Sequence, residues 1–153
     1  MEYDDFSLPQ SFEKMAQEYH KTLKDKGFIF YRLDENEKAK QQKAQDCVKA
    51  LSIVLHSYQL LQRKVRLPQL NKTLNKMIDL TELQIKKLNK MFGLESEVFK
   101  ASTSNIYTLA SQTVSQEASA LKSLLNLCKE EDGENKIVLK SMLDDRLTIL
   151  EEN

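Results

Sequence analysis

Three glycines and two prolines in 153 residues are too few turn-formers for a β-sandwich or barrel, which turns every ~8–12 residues. So little glycine also excludes the loops that cradle nucleotide phosphates, and no Gly-x-Ser-x-Gly or paired Asp/His arrangement stands in the chain. Tryptophan is absent and cysteine occurs twice, as Cys47 and Cys128, so no disulfide framework is expected. No apolar run nears the ~18 residues of a membrane-spanning helix. The opening Met1-Glu2-Tyr3-Asp4-Asp5 has neither the basic flank nor the apolar core of a secretory signal. The expectation is a cytoplasmic protein with reduced thiols. Formal net charge is zero, so the whole-molecule field offers nothing to nucleic acid or anionic lipid.

What is present favours helices. Charged residues make up 30% of the chain and apolar residues 41%, and the abundant Ala, Leu, Lys, Glu and Gln are strong helix formers. Phe12, Met15, Tyr19 and Leu23 recur at helical spacing before Gly27, an expected αL stop. Ala44, Cys47, Leu51, Val54, Tyr58, Leu61 and Val65 then alternate in steps of 3 and 4, an unbroken coiled-coil-like seam. Val48, Ile53, Leu55 and Leu60 widen it, so this helix needs more than one neighbour.

Pro68 ends the second element. A third carries Leu74, Ile78, Thr81, Ile85, Leu88 and Phe92 and stops at Gly93. The fourth is expected from Glu95 to Glu131, along Phe99, Ser102, Ile106, Leu109, Thr113, Gln116, Ala120, Ser123 and Leu127. About half of that stripe is small or hydroxyl-bearing, which suits close helix approach. Asp132-Gly133 marks a turn, and Ile137, Val138, Met142, Leu143, Leu147 and Leu150 mark a last helix. The fold predicted is all-α: an antiparallel helical bundle of about four to five helices with coiled-coil-like seams. Residues 1–8 form an acidic N-terminal segment ahead of a single domain, 9–153.

Chemistry is sparsely signalled. The available metal donors are His20, His56, Cys47 and Cys128, with no C-x-x-C, H-x-x-x-H or E-x-x-H pattern among them. Cys47 lies on the apolar seam and Cys128 closes an apolar run, so both read as small hydrophobes of raised pKa. No catalytic residue, metal site or cofactor is expected.

Charge is uneven. Residues 63–100 carry nine basic against four acidic side chains, whereas 129–153 carry four against eight. Such blocks more often complement each other than recruit a ligand. Nucleic-acid contact through the basic 63–90 face is a weak alternative, because no aromatics interleave with it.

The function expected is therefore a protein-interaction module, an adaptor, chaperone-like or assembly subunit that binds a partner helix or another copy of itself. The second and fourth helices are the expected contact faces. Phe28, Ile29, Phe30 and Tyr31 form an aromatic run suited to docking, joined by Leu51, Leu55 and Tyr58 on the wide seam and by Arg63, Lys64 and Arg66 beside it. The competing expectation is a small-molecule or lipid carrier, with the small residues of the fourth helix lining a cavity.

Overall fold

In the computed structural model, residues 7–26, 37–97, 99 and 105–152 are described. Five helices account for most of them: α1 (Ser7–Lys26), α2 (Glu37–Gln62), α3 (Pro68–Phe92), α4 (Ile106–Glu130) and α5 (Gly133–Glu151). The all-α bundle expected from the periodicity is present.

The punctuation works as the residues dictate. Pro68 opens α3, where its missing N–H is one the helix cannot use anyway. Gly93 closes α3 with φ 62°, and its neighbour Leu94 donates its backbone N–H to Asn89 O at 2.9 Å. A side chain with a Cβ rarely adopts that φ, so glycine is the apt residue there. The Asn105 side chain accepts the Thr108 amide at 2.9 Å and fixes where α4 begins.

Contacts give the direction of each helix. Gln62 meets Asn75 at one end of the α2–α3 pair and Gln41 meets Phe92 O at the other, so the two run antiparallel. Tyr58 with Glu117 and Lys43 with Glu130 make α2 and α4 antiparallel too. Gln84 with Met142 O and Lys76 with Glu152 do the same for α3 and α5. The ring order is thus α2, α3, α5, α4, while α1 lies over α4 and α5.

That order places α3 and α4 parallel on opposite corners, and it corrects one sequence expectation. The fourth segment is not helical from Glu95; α4 begins at Ile106. The reason is reach. A 25-residue helix is about 37 Å long, and the chain must return that distance between Gly93 and Asn105 before α4 can run parallel to α3. Those residues span at most about 43 Å when extended, and far less as helix.

Described contacts trace the return. Gln41 donates to Phe92 O, Gln45 donates to Glu97, and the Lys49 ammonium stands 5.6 Å from the Phe99 ring centroid. The connection therefore climbs α2 one helical turn at a time. Phe99, expected in the α4 seam, instead belongs to this crossover, and Ser102 lies outside the described residues.

The core follows the predicted stripes closely. Ala44, Cys47, Leu51, Val54, Tyr58 and Leu61 are fully covered, and Val65 nearly so. From α3 come Leu70, Leu74, Met77 and Leu88; from α5 come Leu139, Met142, Leu143, Leu147 and Leu150. Phe12 of α1 is buried and meets the Tyr58 ring at 6.0 Å between centroids, tilted by 45°. Among the described residues no helix is long and apolar enough to cross a membrane.

Candidate functional site

Two features stand out from this background: a polar cluster at mid-bundle, and an apolar cleft above it.

The cluster is built from one or two residues on each of the four ring helices. Arg146 on α5 and Glu117 on α4 are both completely buried. Arg146 Nε donates to Glu117 Oε2 at 2.9 Å and Nη2 donates to Oε1, a fork-to-fork pair. Arg146 Nη1 donates to Thr81 Oγ1 at 2.9 Å and to Gln84 Oε1 at 3.0 Å. The Tyr58 hydroxyl donates to Glu117 Oε1. Each partner is anchored in turn, with Thr81 donating to Met77 O at 2.6 Å and Gln84 Nε2 donating to Met142 O at 3.0 Å. No side-chain polar atom of these five residues is left without a partner.

Electrostatics agree with that geometry. Burial alone would lower the Arg146 pKa, but the adjacent Glu117 charge and its hydrogen bonds outweigh it, and the guanidinium is held more firmly protonated than usual. Burial raises the Tyr58 phenol well above its ordinary value, and the Glu117 charge adds to the rise. This phenol donates a hydrogen bond and is not a proton acceptor. Burial likewise pushes the Cys47 thiol up to about 12, with Arg146 partly offsetting the rise. Cys128 is pushed up to about 11, again chiefly by burial. Neither thiol is a nucleophile at neutral pH, since the thiolate is the reactive form.

The cluster does not have the donor set of a metal centre. Four-helix bundles that hold two metal ions use a carboxylate on each of two helices and Glu-x-x-His on the other two. Here the buried polar residues are Ser52, Ser57, Tyr58, Thr81, Gln84, Thr113 and Glu117, with one carboxylate and no histidine among them, and the buried positive charge is Arg146. Among the described residues no group of three His, Cys, Asp or Glu side chains is placed to hold a metal ion.

The raised thiol and phenol values carry a pH consequence. In the folded state Cys47 keeps its proton to about pH 12, while the unfolded chain releases it near the ordinary 9.0. Above pH 9 the unfolded state binds fewer protons, so stability present below that pH falls as pH rises toward 12. Cys128 and Tyr58 act in the same direction. Urea unfolding at pH 7 and about pH 10 is expected to show a loss on the order of 1–2 kcal/mol from Cys47 alone, which Cys47→Ala removes from the pH dependence. An unchanged midpoint between the two pH values refutes the assignment.

The second feature is a cleft of ≈ 230 Å³ between α3 and α5, walled by Leu80, Leu83, Lys87, Ile137, Val138, Ser141 and Asp145 and floored by Gln84 and Met142. Gln84 therefore links the two features: one face meets the cleft and its carbonyl holds Arg146. Three large apolar side chains are exposed among the described residues, Leu83 at 50%, Ile137 at 69% and Tyr107 at 44%. Two of the three lie on this cleft. α1 lies over α4 and α5, and at the Lys76 and Glu152 end its Gln10 and Glu13 also border a cleft with α3 and α5, while the crossover contacts lie against α2; the Leu83 and Ile137 end of the α3–α5 face stays exposed.

The partner contacts expected from sequence fare unevenly. Leu51 and Tyr58 are covered entirely by their own chain, and Leu55 is half-buried against the core. The surplus apolar width of α2 faces α3 and α4 of the same molecule. Arg63, Lys64 and Arg66 are exposed just beyond α2. Phe28, Ile29, Phe30 and Tyr31 lie outside the described residues, as do residues 1–6 of the acidic segment. On α3, Lys72, Lys76, Lys86, Lys87 and Lys90 are exposed as the basic face requires, and Lys76 stands 3.5 Å from Glu152. Where the carrier alternative needs space between α2 and α4, Ser57 meets Gln116 and Tyr58 meets Glu117.

Sequence reasoning missed Glu117, Gln84 and Arg146. The α4 stripe was carried from Thr113 through Gln116 to Ala120, whereas the inward step runs through Glu117. Gln116 is the half-buried neighbour that accepts from Ser57. A signal was present: Glu117 stands four after Thr113 and four before Leu121, and Arg146 stands four after Met142 and four before Leu150. Opposite charges on two apolar stripes are most economically explained by each other.

No protein-family model, curated protein or solved structure matches this chain.

Proposed function

We propose that the chain is a non-enzymatic interaction module, an adaptor or assembly subunit, that docks a protein partner through the cleft between α3 and α5. The reading rests on one observation. The seams are covered inside the molecule, yet Leu83 and Ile137 stand exposed together over a cleft, with Leu80 and Val138 behind them. Clustered exposed apolar side chains, unlike scattered ones, mark interaction surfaces. A cleft of ≈ 230 Å³ holds one or two side chains of a partner rather than a whole helix.

The chemistry of the polar cluster supports the non-enzymatic part. Its one carboxylate is neutralised, its phenol is held protonated and its thiol neighbour is unreactive, all without exposed surface. A photo-crosslinking residue placed at Leu83 in the producing cell tests the reading, with Lys122 on exposed α4 surface as control. A discrete adduct at 83, absent at 122 and abolished by Ile137→Glu, is expected. No adduct at 83, or the same adducts at both positions, overturns it.

A further inference from the structure

Resting on that reading, we infer that the partner on the α3–α5 face is a second copy of this chain, turned end for end. The argument is charge placement around the apolar centre. On α3, the face of Leu83 continues through Lys86, Lys87 and Lys90 in one direction and through Asp79 in the other. On α5, Ile137 lies toward the lysine end of the cleft and Asp145 toward the opposite end, because Gln84 pairs with Met142 O and Thr81 with Arg146. The face is basic at one end, acidic at the other and apolar between. Lys76 at the acidic end is engaged by Glu152, and Glu134 lies beyond Ile137 at the basic end.

A two-fold axis lying in this face and crossing both helices reverses the cleft upon itself. It carries Asp145 of the second copy to the Lys87 end and Lys87 of the second copy to the Asp145 end. Leu83 of both copies then meets near the axis, and Ile137, at the lysine end, is carried over the acidic end of the other copy's cleft. One self-complementary patch satisfies both halves of such an interface, which is the condition a two-fold dimer imposes. A parallel arrangement would instead set lysine end against lysine end.

The area suits a weak dimer. α5 is 19 residues long, about 28 Å, and two adjacent helices are about 20 Å across. Short of the Ile149 and Glu152 end that α1 borders, the footprint is roughly 450–500 Å², below the ~800 Å² per partner of a standard stable interface, so the dimer expected is concentration-dependent. The zero formal net charge of the whole chain adds no long-range repulsion between copies.

Sedimentation velocity over a concentration series at low salt tests the inference on the full chain. Wild type is expected to dimerise, and Leu83→Glu to be monomeric with an unchanged helical circular-dichroism spectrum. Lys87→Asp and Asp145→Lys each weaken the dimer by roughly ten-fold, and the two together recover most of it, because the pair is restored in reverse. Raised salt weakens wild type. A wild type monomeric at every soluble concentration overturns the inference, as does a dimer that survives Leu83→Glu or a double charge swap no better than its singles. A monomer that still gives the Leu83-dependent adduct with a different protein overturns self-association while leaving the docking reading in place.

Discussion

Replacing Arg146 by methionine is expected to cost about 3–5 kcal/mol, because it strands the Glu117 carboxylate in an interior with no water to solvate it. Glu117 would retain the Tyr58 hydroxyl and lose the fork of Arg146 donors. Against a total of ~5–15 kcal/mol for a domain, that loss is large enough to unfold much of the population. The same principle makes the remedy counter-intuitive. Removing the whole charged set, with Tyr58→Phe, Glu117→Met and Arg146→Met together, is expected to recover most of the loss, since well-packed apolar side chains match or exceed a buried ion pair in stability. In that variant Thr81 and Gln84 still donate to Met77 O and Met142 O, but Gln84 Oε1 loses its Arg146 donor, which keeps the recovery short of complete. Urea midpoints followed by circular dichroism decide the matter. A single-variant loss under about 1 kcal/mol means that water reaches Glu117, and the description of the cluster as sealed is then wrong.

Leu51→Ala is expected to cost about 2–5 kcal/mol, and Leu55→Ala, four residues further along the same helix, about 1 kcal/mol or less. Leu51 is fully enclosed by its own chain, so its truncation leaves a cavity, while Leu55 is half-buried and its site relaxes into solvent. The comparison separates two roles for the α2 stripe. If Leu51 packs within the molecule, its loss appears in the unfolding midpoint and leaves self-association unchanged. If it contacts a second molecule, the midpoint of dilute protein stays put and association weakens. The second pattern would return the partner contact to α2, where periodicity alone had suggested it.

The contrast between those residues shows what periodicity can convey. A 3–4 alternation states which side of a helix is apolar, and on α2 it picked out the buried residues from Ala44 to Val65 correctly. It is silent about what lies opposite. The breadth added by Leu55 and Leu60 looked like surplus needing a second molecule, but both pack against the core, with α2 lying between α3 and α4. Ile137, expected with Val138 among the apolar positions of the last helix, stands exposed instead, and Leu83 lies off the α3 stripe. They become a patch only when α3 and α5 lie side by side.

The α4 boundary was misread through the same blindness to distance. Phe99 and Leu109 are spaced as a stripe would space them, yet the chain between Gly93 and Asn105 has to travel the length of the bundle. Only knowledge of where α3 ends and α4 begins turns that span into a distance that helix alone would not cover. The Asn105 cap was the local hint, since a side chain that accepts the amide three residues on favours a helix start there.

From the order of residues alone came the class of fold, the helices' apolar faces, and the stops at Pro68, Gly93 and Asp132-Gly133, because each is decided by neighbours within a turn or two. Tertiary structure decided that α3 and α4 run parallel, that Arg146 answers Glu117 across 29 positions of chain, and which apolar side chains remain uncovered. Those outcomes depend on which helix faces which, and side-chain spacing within one helix holds no record of its neighbour.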